Sequence, residues 1–273
     1  MALDSTAAAA TSADLDQTLA VQERYGAAAQ EQEACLCCAV EFDPALLDVI
    51  PAEVVERDYG CGNPTRWVSS GDTVLDLGSG SGKNAFICAQ IVGAGGRVIG
   101  IDRNHDMLDL ARGAAPQVAA RLGYANVAFR EGAIEDLSAP TPDGTPLVAD
   151  ASVDVVLSNC VLNLVNPAAR GQLLREIRRV LRPGGRVAIS DIVSDREVPL
   201  ALQHDPDLWS GCISGAWQED AFLADFRALG FEDVTYADRS DTPWKVVEGI
   251  SFRSVTLTGA LPGGAAARSG CCG

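Results

Sequence analysis

The chain has 273 residues, 47% of them hydrophobic, which suits one large domain or a core with a cap. Lys and Arg number 21 against 37 Asp and Glu, a net charge of −16. That charge repels polyanions, so DNA, RNA and anionic membrane surfaces are disfavoured as partners, although it also simply aids solubility. No stretch approaches the length of a membrane span.

In chain order, residues 1–20 are small and polar without a periodic apolar face, and are expected to be disordered. They contain no Lys or Arg, so a secretory leader is not expected and the reducing cytoplasm is the expected compartment. Residues 21–68 form an N-terminal segment bearing Cys35, Cys37, Cys38 and Cys61. Five β-branched or leucine-rich runs follow: Thr73–Leu77, Arg97–Asp102, Val127–Glu131, Val153–Ser158 and Arg186–Asp191. Their starts lie roughly 24 to 33 residues apart, the repeat of a βα unit, and continuous apolar runs suit a parallel sheet buried on both faces.

Leu173, Leu174, Ile177, Val180 and Leu181 recur at helical spacing, and Pro183-Gly184-Gly185 is expected to end that helix before the fifth strand. Phe222, Leu223, Phe226 and Leu229 mark another helix, capped by Gly230. Phe231–Tyr236 and Phe252–Leu257 read as two late strands. The expected fold is therefore a doubly wound α/β sheet, mostly parallel, of seven strands with an antiparallel edge. The core covers 69–192, a substrate-binding and sheet-completing region covers 193–258, and a mobile tail covers 259–273.

The strand ending at Leu77 runs directly into Gly78-Ser79-Gly80-Ser81-Gly82, and Asp102 ends the next strand 20 residues after Gly82. Glycines let the backbone turn and approach a ligand, a helix N-terminus offers free N–H groups, and an acid at that distance suits a ribose hydroxyl. The spacing is G-x-G-x-G after an acid, Asp76, rather than the G-x-G-x-x-G of dinucleotide enzymes. It resembles motif I of class I S-adenosylmethionine-dependent methyltransferases, which share a Rossmann-like fold. The resemblance implies cofactor contacts at Asp76, Gly78, Ser79, Gly80 and Gly82, ribose binding at Asp102 with Arg103 beside it, and an adenine turn at Ala133-Ile134-Glu135. Asp76 has a second reading, as a satisfied buried carboxylate that only braces the loop.

Nine cysteines, an odd number, cannot all pair within the chain. Cys160 ends the fourth strand, on the substrate side of such a sheet, in Ser158-Asn159-Cys160-Val161 rather than an Asn-Pro-Pro-aromatic motif, which argues against a nucleobase amine. His105 and His204 read as structural or solvated, leaving no evident general base. Cys88 sits in the apolar run Ala85–Val92 and reads as packing. Cys61 lies between two glycines and Cys212 among small residues, poor settings for a core filler. Thiolates bind soft centres. Trivalent arsenic takes up to three thiolates and keeps a lone pair that can attack a sulfonium methyl without a base.

The stretches Tyr59–Pro64, Val74–Gly82, Ser158–Leu164, Ser190-Asp191-Ile192 and Trp209–Ala216 resemble the arsenite methyltransferase family. The resemblance implies S-adenosylmethionine as methyl donor, no permanent metal cofactor, and arsenite or its thiol conjugate as substrate. It makes Cys160 and Cys212 the principal arsenic ligands and Cys61 a third, exchanging between arsenic and a disulfide, with Asn159 at the cofactor. It also implies a fourth, N-terminal cysteine that can pair with Cys61, for which Cys35 and Cys38 are the candidates, and a thiol reductant of the glutathione or thioredoxin type. Zinc held by Cys35, Cys37, Cys38 and Cys61 is an alternative use of those thiols. Cys271-Cys272 either passes arsenic to the site or is inert. The rival functions are methylation of carbon, oxygen or sulfur on a small organic molecule, and soft-metal sequestration without catalysis. A monomer is expected.

Overall fold

The computed structural model describes residues 12–30 and 40–263. Helix α1 (Ser12–Gln30) comes first, followed by two short helices, α2 (Pro44–Leu47) and α3 (Ala52–Glu56). Residues 12–20, expected to be disordered, therefore belong to a helix. Its order comes from docking: Ala28 and Ala29 are buried with Tyr59 and Met107, a long-range contact that composition does not reveal.

The core alternates β1 (Thr73–Leu77), α4 (Lys83–Val92), β2 (Arg97–Asp102), α5 (His105–Leu122), β3 (Val127–Glu131) and β4 (Val153–Asn159). It continues with α6 (Arg170–Val180) and β5 (Leu181–Ser194). The remaining elements are α7 (Leu200–Gln203), α8 (Pro206–Ser210), β6 (Trp217–Gln218), α9 (Glu219–Ala228), β7 (Glu232–Arg239), β8 (Lys245–Val247) and β9 (Ile250–Ala260).

The sheet runs β3-β2-β1-β4-β5-β9-β7. The first five strands are parallel, and β9 is antiparallel to both β5 and β7. This path holds the seven expected strands. Two more, β6 and β8, are two and three residues long, too short to carry a periodic signal. Strand β5 also starts earlier than expected. Leu181 pairs with Val153, and Pro183-Gly184-Gly185 lies within the strand rather than before it.

The physical cause of each core element is local. Strand β1 is buried from Val74 to Leu77 on both faces. Helix α5 starts where Asn104 accepts from the Met107 N–H at 3.0 Å and ends at Gly123 in the left-handed region, φ +82°. Helix α6 buries Leu173, Leu174, Ile177 and Val180 against the sheet. Strand order reverses between β1 and β4, so the chain leaves β1 toward β2 and β4 toward β5, in opposite directions along the sheet, and a crevice lies above their C-terminal ends. No helix among the described residues is long and apolar enough to cross a membrane.

Candidate functional site

A cleft enclosing about 950 Å³, its solvent mouth included, opens at that crevice. Its floor is the loop after β1, where Gly78, Ser79, Gly80 and Ser81 face it. Gly80 has φ +51°, and a Cβ there would meet nothing within 4 Å, so the backbone borders open space that a ligand can fill. Asp102 lines the side wall. One carboxylate oxygen accepts from the Gly80 N–H and the other from the Asn104 N–H, both at 2.8 Å. Burial pushes its pKa up more than those N–H groups pull it down. Arg103 and Glu135 form an ion pair, and with Ile134 they border the same cleft.

Ser79 Oγ, Asn84 Oδ1 and Glu135 Oε2 are buried with no hydrogen-bond partner among the described residues. All three residues line the cleft. Unsatisfied polar atoms around an open cradle are the demand that a polar nucleoside ligand meets. The residues present therefore fit S-adenosylmethionine.

Three residues expected at the cofactor stand behind the lining. Gly82 is the N-cap of α4, with φ +92°, and Ala133 and Asp76 are not at the surface of the cleft. Asp76 is buried beneath the loop with Oδ2 unpartnered. Burial, then the charges of Asp58 and Asp102, push its carboxyl up to about 8. Strand β1 ends one residue later, and the chain turns over this carboxyl. Conversely, α1 supplies Val21, Gln22 and Tyr25 to the cleft, which the sequence pattern did not indicate. Asn104 Nδ2 donates to the Gln22 carbonyl at 3.1 Å and ties this helix to the start of α5.

The thiols converge beside this cleft. Cys61 and Cys160, 99 residues apart, form a disulfide with a Cα–Cα distance of 6.0 Å. The Cys212 Sγ donates to the Cys160 carbonyl oxygen at 3.1 Å and lies 3.9 Å from the Tyr25 hydroxyl. Cys61, Cys160 and Cys212 share one apolar cluster with Ile192, Ile213 and Phe252. Cys160 lines this cleft, whereas Cys61 borders a second, more polar cleft with Arg66 and Asp238. Cys160 and Cys212 both occupy the left-handed region, φ +59° and +60°, a conformation that costs energy outside glycine and clusters at functional sites. Two of the expected arsenic ligands are thus bonded to each other in this state. No group of three or more His, Cys, Asp or Glu among the described residues is arranged to hold a metal ion.

Asn159, expected at the cofactor, borders the cleft, but its amide bonds the backbone of Cys61 and Gly62. Asp191 is buried between the sheet and the Cys212 loop, and burial pushes it up to about 7 against the pull of N–H donors from Ile192 and Asn163. Tyr25 is likewise pushed up by burial and then by Cys212. His105 is exposed beside Asp109 and Glu131, and neither it nor His204 lines the cleft. Cys88 is fully buried in an apolar cluster, as expected of packing. Cys35, Cys37, Cys38, Cys271 and Cys272 lie outside the described residues, and with them the proposed N-terminal partner and the zinc alternative.

Residues 68–230 match the family described as a methyltransferase domain. The arsenite methyltransferase of Aquipseudomonas alcaligenes is 40% identical over 222 residues, covering 78% of this chain and 61% of that protein. The arsenite methyltransferase of Halobacterium salinarum is 42% identical over 193 residues, covering 70% of this chain and 46% of that protein. The chain thus spans about half to three-fifths of these curated relatives. The crystal structure of an arsenic(III) S-adenosylmethionine methyltransferase from Chlamydomonas reinhardtii superposes with a TM-score of 0.70 at 34% identity, covering 79% of this chain and 72% of that one.

Proposed function

We propose, on the premise that the chain belongs to the methyltransferase-domain family and to the arsenic(III) S-adenosylmethionine methyltransferases, that it methylates trivalent arsenic held on cysteine thiolates. One observation carries this: Cys61, Cys160 and Cys212 come from three distant parts of the chain and meet beside the cleft built by the glycine loop. Core packing needs no such meeting, and none of these positions is a site of regular secondary structure.

Bound in the cleft, S-adenosylmethionine supplies an electrophilic methyl on a sulfonium, the complement of an arsenic lone pair. Gly80, Asp102 and the Arg103–Glu135 side hold the nucleoside end. Reduction of the Cys61–Cys160 disulfide by an external thiol frees two sulfurs, and Cys160 and Cys212 then bind arsenite or its thiol conjugate as substrate. Ile192, Ile213 and Phe252 keep water from the arsenic–sulfur bonds. The binding thiols lose their protons to the leaving hydroxide or thiolate ligands of arsenic, so no general base is required, and neither histidine lines the cleft. Cys61 serves as the exchanging sulfur, and Cys35 or Cys38 as its N-terminal partner. A monomer acting with a thiol reductant suffices for this scheme.

The decisive experiment measures S-adenosylhomocysteine production with and without arsenite in the reduced full chain and in Cys160→Ser and Cys212→Ser. Arsenite-dependent turnover lost in both variants is expected. Full activity in either variant rules the mechanism out. Turnover on an organic acceptor without arsenite would favour an ordinary small-molecule methyltransferase, and arsenite binding without turnover a sequestering protein.

A further inference from the structure

We propose that Asn159 and Asn163, the asparagines on either side of Cys160, are positioning residues for the other two thiols: Asn159 fixes the Cys61 loop and Asn163 fixes the Cys212 loop. For its arsenic chemistry this deepens, and rests on, the function proposed above. The division of labour between the asparagines is a property of the chain itself.

Asn159 is the last residue of β4. Its Oδ1 accepts from the Cys61 N–H at 2.9 Å and the Gly62 N–H at 3.2 Å, and its Nδ2 donates to the Gly62 carbonyl at 2.8 Å. One side chain thus satisfies three backbone groups of a loop 97 and 98 residues away. The contact is close enough to dictate the neighbouring sequence. A Cβ on Gly60 would lie 2.2 Å from Asn159 Nδ2, which explains why a glycine precedes Cys61.

Asn163 is fully buried in the short helical turn that follows Cys160. Its Nδ2 faces Asp191 Oδ1 at 2.8 Å, the Ile192 carbonyl at 2.7 Å and the Cys212 carbonyl at 3.3 Å. A Cβ on Gly215 would meet the Asn163 carbonyl oxygen at 2.0 Å, so the Cys212 loop also packs directly on this residue. Cys212 has φ +60°, and such a backbone persists only where surrounding contacts over-determine it. The bond from Asn163 to its carbonyl is one of those contacts.

The residue type follows from the partners. Position 163 faces three acceptors, so a carboxylate there would repel them and an apolar side chain would take from each the donor that Asn163 offers. Position 159 must accept twice and donate once, which an amide does and a carboxylate does not. Cys160 sits between the two amides and needs no such clamp, because its N–H donates to the Ser190 carbonyl at 2.8 Å in the sheet. A single short segment thereby sets where all three sulfurs stand.

The test measures alkylation by N-ethylmaleimide, cysteine by cysteine, in the reduced full chain, read by peptide mass spectrometry. Asn159→Ser is expected to speed alkylation of Cys61 roughly five- to tenfold, the effect of losing a small set of buried hydrogen bonds, with Cys212 unchanged. Asn163→Ser is expected to do the reverse. Cys88, buried in another cluster, gauges global opening and stays slow in both. If Cys61, Cys212 and Cys88 speed up together, or neither target speeds up, the proposal is overturned. Asn159→Gln and Asn163→Gln, which keep an amide displaced by one methylene, carry the same crossed expectation should a serine variant not fold. Arsenite forms a second arm. If it protects no cysteine in the unsubstituted chain, the arsenic function falls, and the crossed pattern still decides the clamps.

Discussion

The Cys212 thiol donates to the carbonyl oxygen of Cys160 at 3.1 Å, across 52 residues of sequence. The bond joins the end of β4 to the loop after α8 and brings Cys212 beside the Cys61–Cys160 disulfide. A soft trivalent centre entering after reduction would meet sulfurs in an apolar pocket, where a neutral arsenic–thiolate complex is favoured over separate buried charges.

Arsenite binding should depend on prior reduction. Trp209 is buried, and its carbonyl accepts from the Cys212 N–H at 3.0 Å, so its fluorescence reports on that loop. Titration of the chain treated with a phosphine reductant is expected to change Trp209 emission, and titration of the oxidised chain to leave it nearly flat. Equal affinities in the two states would show that the disulfide does not control access to arsenic.

Asp102→Ala should weaken cofactor binding while leaving the thiols alone. The carboxylate holds the Gly80 and Asn104 N–H groups and borders the cleft. Loss of a charge-assisted contact of about 1.5–3 kcal/mol corresponds to a roughly 10- to 150-fold drop in affinity. Calorimetry with S-adenosylhomocysteine checks this, and an affinity within twofold of the unsubstituted chain would remove Asp102 from the cofactor site.

Gly60→Ala and Gly113→Ala should shift stability in opposite directions. At Gly60 the added methyl collides with Asn159 and is expected to cost about 1–3 kcal/mol. At Gly113, within α5, a Cβ meets nothing within 4 Å, and alanine should stabilise by up to about 1 kcal/mol through helix propensity. Urea unfolding measures both. A neutral Gly60→Ala would mean that the Cys61 loop has slack.

Asp76 predicts a pH dependence whose sign follows from its raised carboxyl. The folded chain holds the proton up to about 8, whereas the unfolded chain releases it near 3.8. Between those values the native state binds more protons, so this group's contribution is fully present below 3.8 and is lost as pH rises toward 8. Asp76→Asn removes that titration. The unfolding free energy of the unsubstituted chain should therefore fall relative to the variant between about pH 5 and 8. Parallel curves across that window would place the Asp76 carboxyl in its ordinary range.

Much of the fold is legible in the chain because its signals are local. The run Thr73–Leu77, the glycines after it and Asp102 at the end of β2 encode strand, turn and cleft wall through burial, φ preference and spacing. The same local rules miss β6 and β8, whose two and three residues carry no period, and they miss α1, whose helix is held by contacts with Tyr59, Met107 and Asn104 far along the chain. Nor do they give the depth of Asp76, which the turn after Leu77 buries below the loop and away from the lining of the cleft.

By itself, then, the sequence determined which residues form the glycine cradle, and it set Cys61 between glycines and Cys212 among small residues, since both follow from neighbouring residues. Only the tertiary structure decided that Cys61 bonds Cys160, that Cys212 leans on the Cys160 carbonyl, and that Asn159 and Asn163 each grip a different loop. Those pairings depend on the register of strands and loops separated by 49 to 99 residues. No local periodicity records such distances; packing of the whole sheet sets them.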